Sequence, residues 1–154
     1  MSNRYPPSDP TYRLLAGPTD ITSGGAAPAA SFFAVRLTEQ ARALLPKIRD
    51  RGVADTTRQL IEVIEDVVSA LAASGADVTN LPPVRASVSE AGSVLLEWTT
   101  TVFRLGFNIE LDPQESGWYL ATSKQLGFAG HGFLSQMTKQ TLVSLVLEFV
   151  RANS

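Results

Sequence analysis

The fold is decided by the stretch VLLEWTTTVFRLGFNIEL, which spans residues 94–111. Its second half alternates large apolar residues with polar or small ones. The apolar set is Phe103, Leu105, Phe107, Ile109 and Leu111. A period of two is typical of a strand with one buried face and one wet face. Val94, Leu96 and Trp98 alternate in the same way, so the stretch predicts two neighbouring strands with this apolar set in the core.

Two further strands are predicted on either side of this pair. Residues 84–88 alternate after the Leu-Pro-Pro sequence at 81–83, which breaks any helix, and a turn at 90–93 follows them. Downstream, the turn residues at 112–117 lead into a short, aromatic-rich run at 118–122. The four runs predict an antiparallel meander.

Helical periodicity precedes the strands. Apolar residues recur on one helical face from Leu37 to Ile48, where Pro46 kinks or splits the helix and Gly52 ends it. A second helix is predicted from the capping-box pattern at 56–59 to Ser74-Gly75. The net charge is +3 for residues 34–52 and -4 for residues 53–81, so the two helices are suited to pair electrostatically.

A last helix is predicted from about Phe133, and it is apolar over more than half of its circumference. Such width leaves two interpretations. Either the helix is packed on two sides within the domain, which is favoured, or part of it, with Phe149, contacts a subunit or a partner.

These elements predict an α+β fold of two layers, in which two amino-terminal helices and one carboxy-terminal helix cover one face of a four-stranded antiparallel sheet. Residues 1–33 hold five of the nine prolines and predict a flexible Pro/Gly/Ala-rich arm, and residues 34–154 predict a single domain. The arm carries two apolar islands, Tyr12-Arg13-Leu14-Leu15 and Phe32-Phe33. These either dock on the domain or a partner, or belong to a simple tail, which is favoured.

Composition excludes several classes of function. The chain of 154 residues has 13 basic and 15 acidic groups, no cysteine and one histidine. It therefore has no disulfide framework, no thiolate metal site and no multi-histidine site, and no metal or cofactor is predicted. Near-balanced charge gives no field for nucleic acid. No apolar run reaches the about 20 residues of a membrane span, and no signal peptide is visible, so a cytoplasmic location is expected.

A glycine-rich segment, Gly127-Phe128-Ala129-Gly130-His131-Gly132, is predicted as a loop before the last helix. Exposed amides at a helix start are suited to an anion, which makes Gly127, Gly130, His131 and Gly132 candidate ligand-binding residues. Their spacing matches no phosphate-binding fingerprint, and a flexible connection is favoured. No catalytic residue is predicted.

Three large aromatics, Trp98, Trp118 and Tyr119, have two interpretations. Residues of this type are frequent in cores, which is favoured here, and also in interface centres. Together with Phe149 they are the candidate partner-binding residues.

The hairpin carries a resemblance to a known group of proteins. Leu81-Pro82-Pro83-Val84 is followed by Gly92-Ser93-Val94-Leu95-Leu96-Glu97-Trp98. This pattern resembles small uncharacterised bacterial α+β proteins with a proline-led strand, a glycine turn and a hydrophobic-x-Leu-Glu-Trp strand. The likeness covers residues 81–122, with Ala91-Gly92 where the pattern has Asp-Gly. It implies a small α+β protein without an established enzymatic role and transfers no functional residue.

The leading hypothesis is a non-catalytic protein-binding or assembly protein that acts through an apolar helix and a sheet surface, with another protein or a second copy as its partner. One alternative is a small acidic chaperone or immunity-like protein, by analogy of size and charge. Another is a small-molecule-binding or catalytic domain that uses His131 and the segment Gly127–Gly132.

Overall fold

The computed structural model describes residues 26–101, 103–122 and 128–153. The helices are α1 (Ala26–Leu44), α2 (Arg51–Ala73) and α3 (Lys139–Asn153), and the strands are β1 (Arg85–Val88), β2 (Val94–Thr99), β3 (Phe103–Ile109), β4 (Gly117–Thr122) and β5 (Phe128–Phe133). The predicted α+β class is therefore confirmed.

The sheet is an antiparallel meander with the strand order β1-β2-β3-β4-β5. It has one strand more than the four predicted. The additional strand, β5, occupies most of the segment that was predicted as a glycine-rich loop. Glycine marks turns in most sequences, but it also marks strand positions that a neighbouring ring must approach closely.

One face of the sheet supplies much of the core. The register pairs Val94 with Ile109, Leu96 with Phe107 and Trp98 with Leu105, and all six side chains are buried. The alternation predicted this face correctly, except at its end. Leu111 lies two residues beyond β3 and is 48% exposed, because the strand pairing that would turn it inward stops at Ile109.

Helix α1 begins at Ala26, so residues 26–33, which were assigned to the arm, are helical. Pro28 is compatible with this position, because backbone amides in the first turn need no intrahelical acceptor. The helix ends at Leu44 and a 3-10 turn follows, Leu45–Lys47, where Pro46 interrupts the ladder as predicted. Residues 1–25, with the island Tyr12–Leu15, lie outside the described residues.

Helix α2 begins earlier than its predicted start at residues 56–59. Asp50 is the N-cap, and its carboxylate accepts a hydrogen bond from the Val53 amide at 2.9 Å. Gly52, predicted to end the preceding helix, lies in this first turn instead. Thr57 is buried inside the helix, where its hydroxyl donates to the Val53 carbonyl at 2.7 Å. An aspartate at the N-cap outweighed the capping-box pattern.

A carboxylate on α2 joins the first two helices. Glu65 accepts hydrogen bonds from Arg42 Nε at 2.7 Å and Arg42 Nη2 at 2.6 Å, and from the buried hydroxyl of Thr38. The side chain of Glu65 is only 13% exposed. The hydrogen bond to Glu65 is the main cause that raises the pKa of Arg42. The complementary charge of the two segments is thus concentrated in one bidentate pair.

The wide apolar surface of the last helix packs against other elements of the same domain. Seven side chains of α3 are buried: Leu142, Val143, Leu145, Val146, Leu147, Phe149 and Val150. The ring of Phe149 lies 4.8 Å from that of Trp98 in the sheet, while α3 also contacts α2. Trp98 and Phe149, two of the candidate partner-binding residues, are each 1% exposed and lie in the core.

Replacement of Glu65 by alanine should lower the free energy of unfolding by about 1–3 kcal/mol, because it removes the acceptor that Thr38 shares with the partly exposed Arg42. Urea denaturation measures this loss. The matched control is Arg58→Ala, which removes the exposed pair with Asp55 and should change stability by less than about 0.5 kcal/mol. Equal losses in the two variants would contradict the role of the pair between Arg42 and Glu65.

Candidate functional site

Two of the candidate glycines make room for a tryptophan. Trp118 is half-buried on the inward face of β4, directly opposite Gly132 of β5. A Cβ atom on Gly132 would lie 2.9 Å from Trp118 Nε1, and one on Gly130 would lie 3.2 Å from Cη2 of the same ring. The glycines of β5 therefore have a packing role. Gly127 lies outside the described residues.

Substitution Gly132→Ala should destabilise the protein by about 1–3 kcal/mol, because the added methyl group overpacks against the indole. In a Trp118→Leu background the same change should have a much smaller effect, since the ring that it meets is gone. Thermal unfolding of the two single variants and the double variant gives the coupling. Additive effects would contradict the proposed contact.

The opposite face of the sheet presents one residue from each strand in a single line. The pairings join Arg85 to Glu97, Glu97 to Gly106, Gly106 to Tyr119 and Tyr119 to His131. We call these five residues the outer row. With strands about 4.8 Å apart, the row extends over roughly 19 Å. Its charged and polar side chains are exposed or half-buried, in contrast to the inward face.

Gly106 shapes the centre of the outer row. A Cβ atom at this position would lie 2.2 Å from Cζ of Tyr119, so the phenol ring lies directly across the glycine. The hydroxyl thereby reaches over β3 to β2 and donates a hydrogen bond to Glu97 Oε2 at 2.6 Å. Arg104 Nε lies 3.7 Å from the same oxygen. The arrangement fixes Tyr119 and leaves the Glu97 carboxylate paired.

The environment keeps the Tyr119 hydroxyl protonated. Burial, and then the hydrogen bond and the negative charge of Glu97, raise the pKa of Tyr119 to about 12. At neutral pH this phenol is a hydrogen-bond donor, and it is poorly suited to act as a base or a nucleophile. The centre of the outer row is thus a rigid, neutral donor bound to a carboxylate.

The end of the outer row on β5 carries exposed aromatic side chains. His131 is exposed beside Tyr119, and Phe133, two residues further on the same face, is 55% exposed. An exposed phenylalanine next to a fixed tyrosine and a histidine gives this corner aromatic character.

The stability of the protein should depend on the ionisation of Tyr119. Its folded pKa of about 12 lies above the ordinary value of 10.0, so the unfolded chain loses the phenolic proton first as the pH rises. The stabilisation is complete below pH 10 and is lost between pH 10 and about 12. Urea denaturation over this range should show a weaker pH dependence for Tyr119→Phe than for the wild type.

Absorbance titration tests the cause of the same shift. Glu97→Gln should lower the pKa of Tyr119, because it removes the negative charge beside the phenol, but burial should keep the pKa above 10.0. An unchanged titration in this variant would contradict the role of Glu97.

Apart from the outer row, a concave surface lies between α2 and the start of α3. The cavity has a volume of about 390 Å³. Five apolar side chains line it, Leu60, Val63, Leu134, Met137 and Leu142, together with the charged groups Glu62, Asp66 and Lys139. We call this surface the α2/α3 groove. Periodicity does not predict this surface, because Leu134, Met137 and Thr138 line it but precede the start of α3 at Lys139.

The candidate residues predicted from the sequence lie on different faces of the sheet in the structure. Trp118 and Tyr119 are adjacent in sequence but lie on opposite faces of β4, and only Tyr119 is beside His131. Sequence reasoning missed Arg85, Arg104 and the pairing of Glu97. The alternation does place Glu97 and Arg104 on a wet face, but only the strand register shows which of them are neighbours.

Comparison of the chain with protein-family models, with curated proteins and with solved structures found no match. The resemblance of residues 81–122 therefore stays a prediction. Within the described ranges, no group of three or more His, Asp or Glu side chains is arranged to hold a metal ion. No helix in the described part of the chain is both long and apolar enough to cross a membrane.

Proposed function

We propose that this chain is a non-catalytic protein-binding module and that the outer row, together with Phe133, is its binding surface. The observation that carries the proposal is the 55% exposure of Phe133 on the sheet face that also carries the fixed Tyr119. A partner suited to this surface presents an apolar pocket for the phenylalanine and acceptor groups for Arg85 and for Arg104, which lies next to the row on the same face. We take this partner to be a different protein.

The composition of the surface supports this function. Tyrosine and arginine are enriched among the residues that contribute most to protein interfaces. Tyr119 is already held by Gly106 and Glu97 before a partner arrives, so binding orders one side chain fewer. A preorganised aromatic group gains affinity through this saving in conformational entropy.

The packing of β5 favours protein binding over a ligand site built on the glycines. Gly130 and Gly132 face the Trp118 ring on the inward side, which fills the space next to them. His131 points to the other face, in the outer row with Tyr119. The histidine and the two glycines therefore lie on different faces of the sheet and do not line one ligand site together.

The two-layer arrangement is part of this proposal, because the outer row must stay free of helices to receive a partner. Its support is the difference between the two faces. Inward side chains such as Leu96 and Phe107 belong to one buried cluster with residues of all three helices, whereas Arg85, Arg104 and His131 are exposed.

A quantitative pull-down with the tagged full-length protein from its native extract tests the function. A stoichiometric partner, identified by mass spectrometry and then purified, should bind the wild type measurably in calorimetry. Phe133→Ala should weaken this binding about 30-fold, as expected for a central aromatic contact worth about 2 kcal/mol. The matched control is Leu111→Ala, another exposed apolar residue, which lies outside the outer row and should bind normally.

Two results would overturn the proposal. One is a partner that binds Phe133→Ala and Leu111→Ala as well as it binds the wild type, which would place the interface elsewhere. The other is a protein that is monomeric by light scattering and recovers no stoichiometric partner. A dimer that Phe133→Ala dissociates would assign the same surface to a second copy of the chain.

A further inference from the structure

The α2/α3 groove combines an apolar floor with an acidic rim. The floor is formed by five apolar side chains, and Met137 among them adapts readily to different shapes. The rim carries two carboxylates, Glu62 and Asp66, and one cation, Lys139. Burial is the main cause that raises the pKa of Asp66, and Lys139 opposes it. An occupant that adds a cation and apolar side chains would match both parts of the groove.

We propose that the segment Tyr12-Arg13-Leu14-Leu15 of this same chain occupies the α2/α3 groove. In this arrangement Leu14 and Leu15 lie on the apolar floor, and the Arg13 guanidinium pairs with the carboxylates of the rim. The contact is distinct from the protein-binding function proposed for the outer row and shares no residue with it.

The composition of the segment supports this assignment. Tyr12–Leu15 carries three large apolar residues around a single cation, and it is the longest such cluster in residues 1–25. The rim has two carboxylates but only one cation, Lys139. Arg13 would add the second positive charge. The other apolar island, Phe32-Phe33, lies within α1 and carries no charge.

The length of the connecting chain also fits. Ten residues separate Leu15 from Ala26, where α1 begins, and they span up to about 35 Å when extended. Helix α2, which forms one wall of the groove, has 23 residues and is therefore about 34 Å long. The extended connector is therefore as long as the helix that lines the groove, and α1 contacts that helix through Thr38 and Glu65.

The covalent link favours occupancy of the groove. A segment tethered by a short linker has an effective concentration in the millimolar range, so even a weak contact is populated. A few apolar side chains and one ion pair are enough under these conditions. A separate peptide of the same sequence would need a much stronger interaction.

Photo-crosslinking in the full-length protein tests the contact. p-Benzoylphenylalanine in place of Leu14 should crosslink within the monomer to peptides that contain residues 59–66 or 134–142. The matched control carries the same group in place of Tyr5, an aromatic residue that precedes the segment and is not followed by an Arg-Leu-Leu sequence. It should give these crosslinks at about one tenth of the yield, corresponding to a weaker contact.

Charge reversal makes the test specific. In the crosslinking protein, Arg13→Glu should reduce the yield about tenfold, since a like charge then faces the rim. Addition of Asp66→Lys should restore it, which also shows that the doubly changed protein is folded. Arg4→Glu is the control and should leave the yield unchanged.

Three outcomes would overturn the proposal. Crosslinks from position 14 to the outer row or to other surfaces would place the segment elsewhere. Crosslinks found only in covalent dimers would assign the groove to a second copy. A yield that Arg13→Glu does not lower would exclude the ion pair. None of these results bears on the pull-down with Phe133→Ala, so the two proposals fail independently.

Discussion

The sheet depends on two consecutive aromatic residues of β4 that each lie over glycine on a neighbouring strand. Trp118 points inward and covers Gly130 and Gly132 of β5, while Tyr119 points outward and covers Gly106 of β3. Because successive residues of a strand face opposite sides, one dipeptide joins three strands on both faces. A slip of one residue in either pairing would exchange the two rings and place a side chain where each needs open backbone. The glycines are thus a condition for the register.

The helices hold the inward face through apolar burial, with one polar exception. Large side chains such as Trp98, Phe107 and Phe149 are almost completely buried, and each contributes roughly 1.5–3 kcal/mol. The indole of Trp98 also donates a hydrogen bond to the Pro82 carbonyl at 2.6 Å, so its burial leaves no donor unpaired. Glu65 supplies the exception between α1 and α2. An apolar core fixes which faces meet, whereas a bidentate ion pair adds a constraint on how the two helices are aligned.

Periodicity predicted most elements of this fold but not the relations between them. The period of two in residues 94–111 located β2, β3 and their buried face, and the apolar width of the last helix indicated packing on two sides. The strand β5 was missed because three glycines in residues 127–132 indicate a loop unless it is known that the Trp118 ring covers Gly130 and Gly132. The start of α2 was misplaced because Asp50 and residues 56–59 are both acceptable N-terminal signals. The outer row was beyond prediction, since its members are distant in sequence and only the register brings them together.

The two edges of the sheet differ in a way that bears on the binding surface. Edge strands of soluble proteins commonly carry charge, which discourages association with other strands. β1 at one edge begins with the exposed Arg85, whereas β5 at the other edge, Phe128–Phe133, contains no lysine, arginine, aspartate or glutamate. An apolar edge that also exposes Phe133 favours contact with another molecule. In the proposed function, a partner packs against the aromatic corner at the β5 end of the outer row and is oriented by the charge of Arg85 on β1.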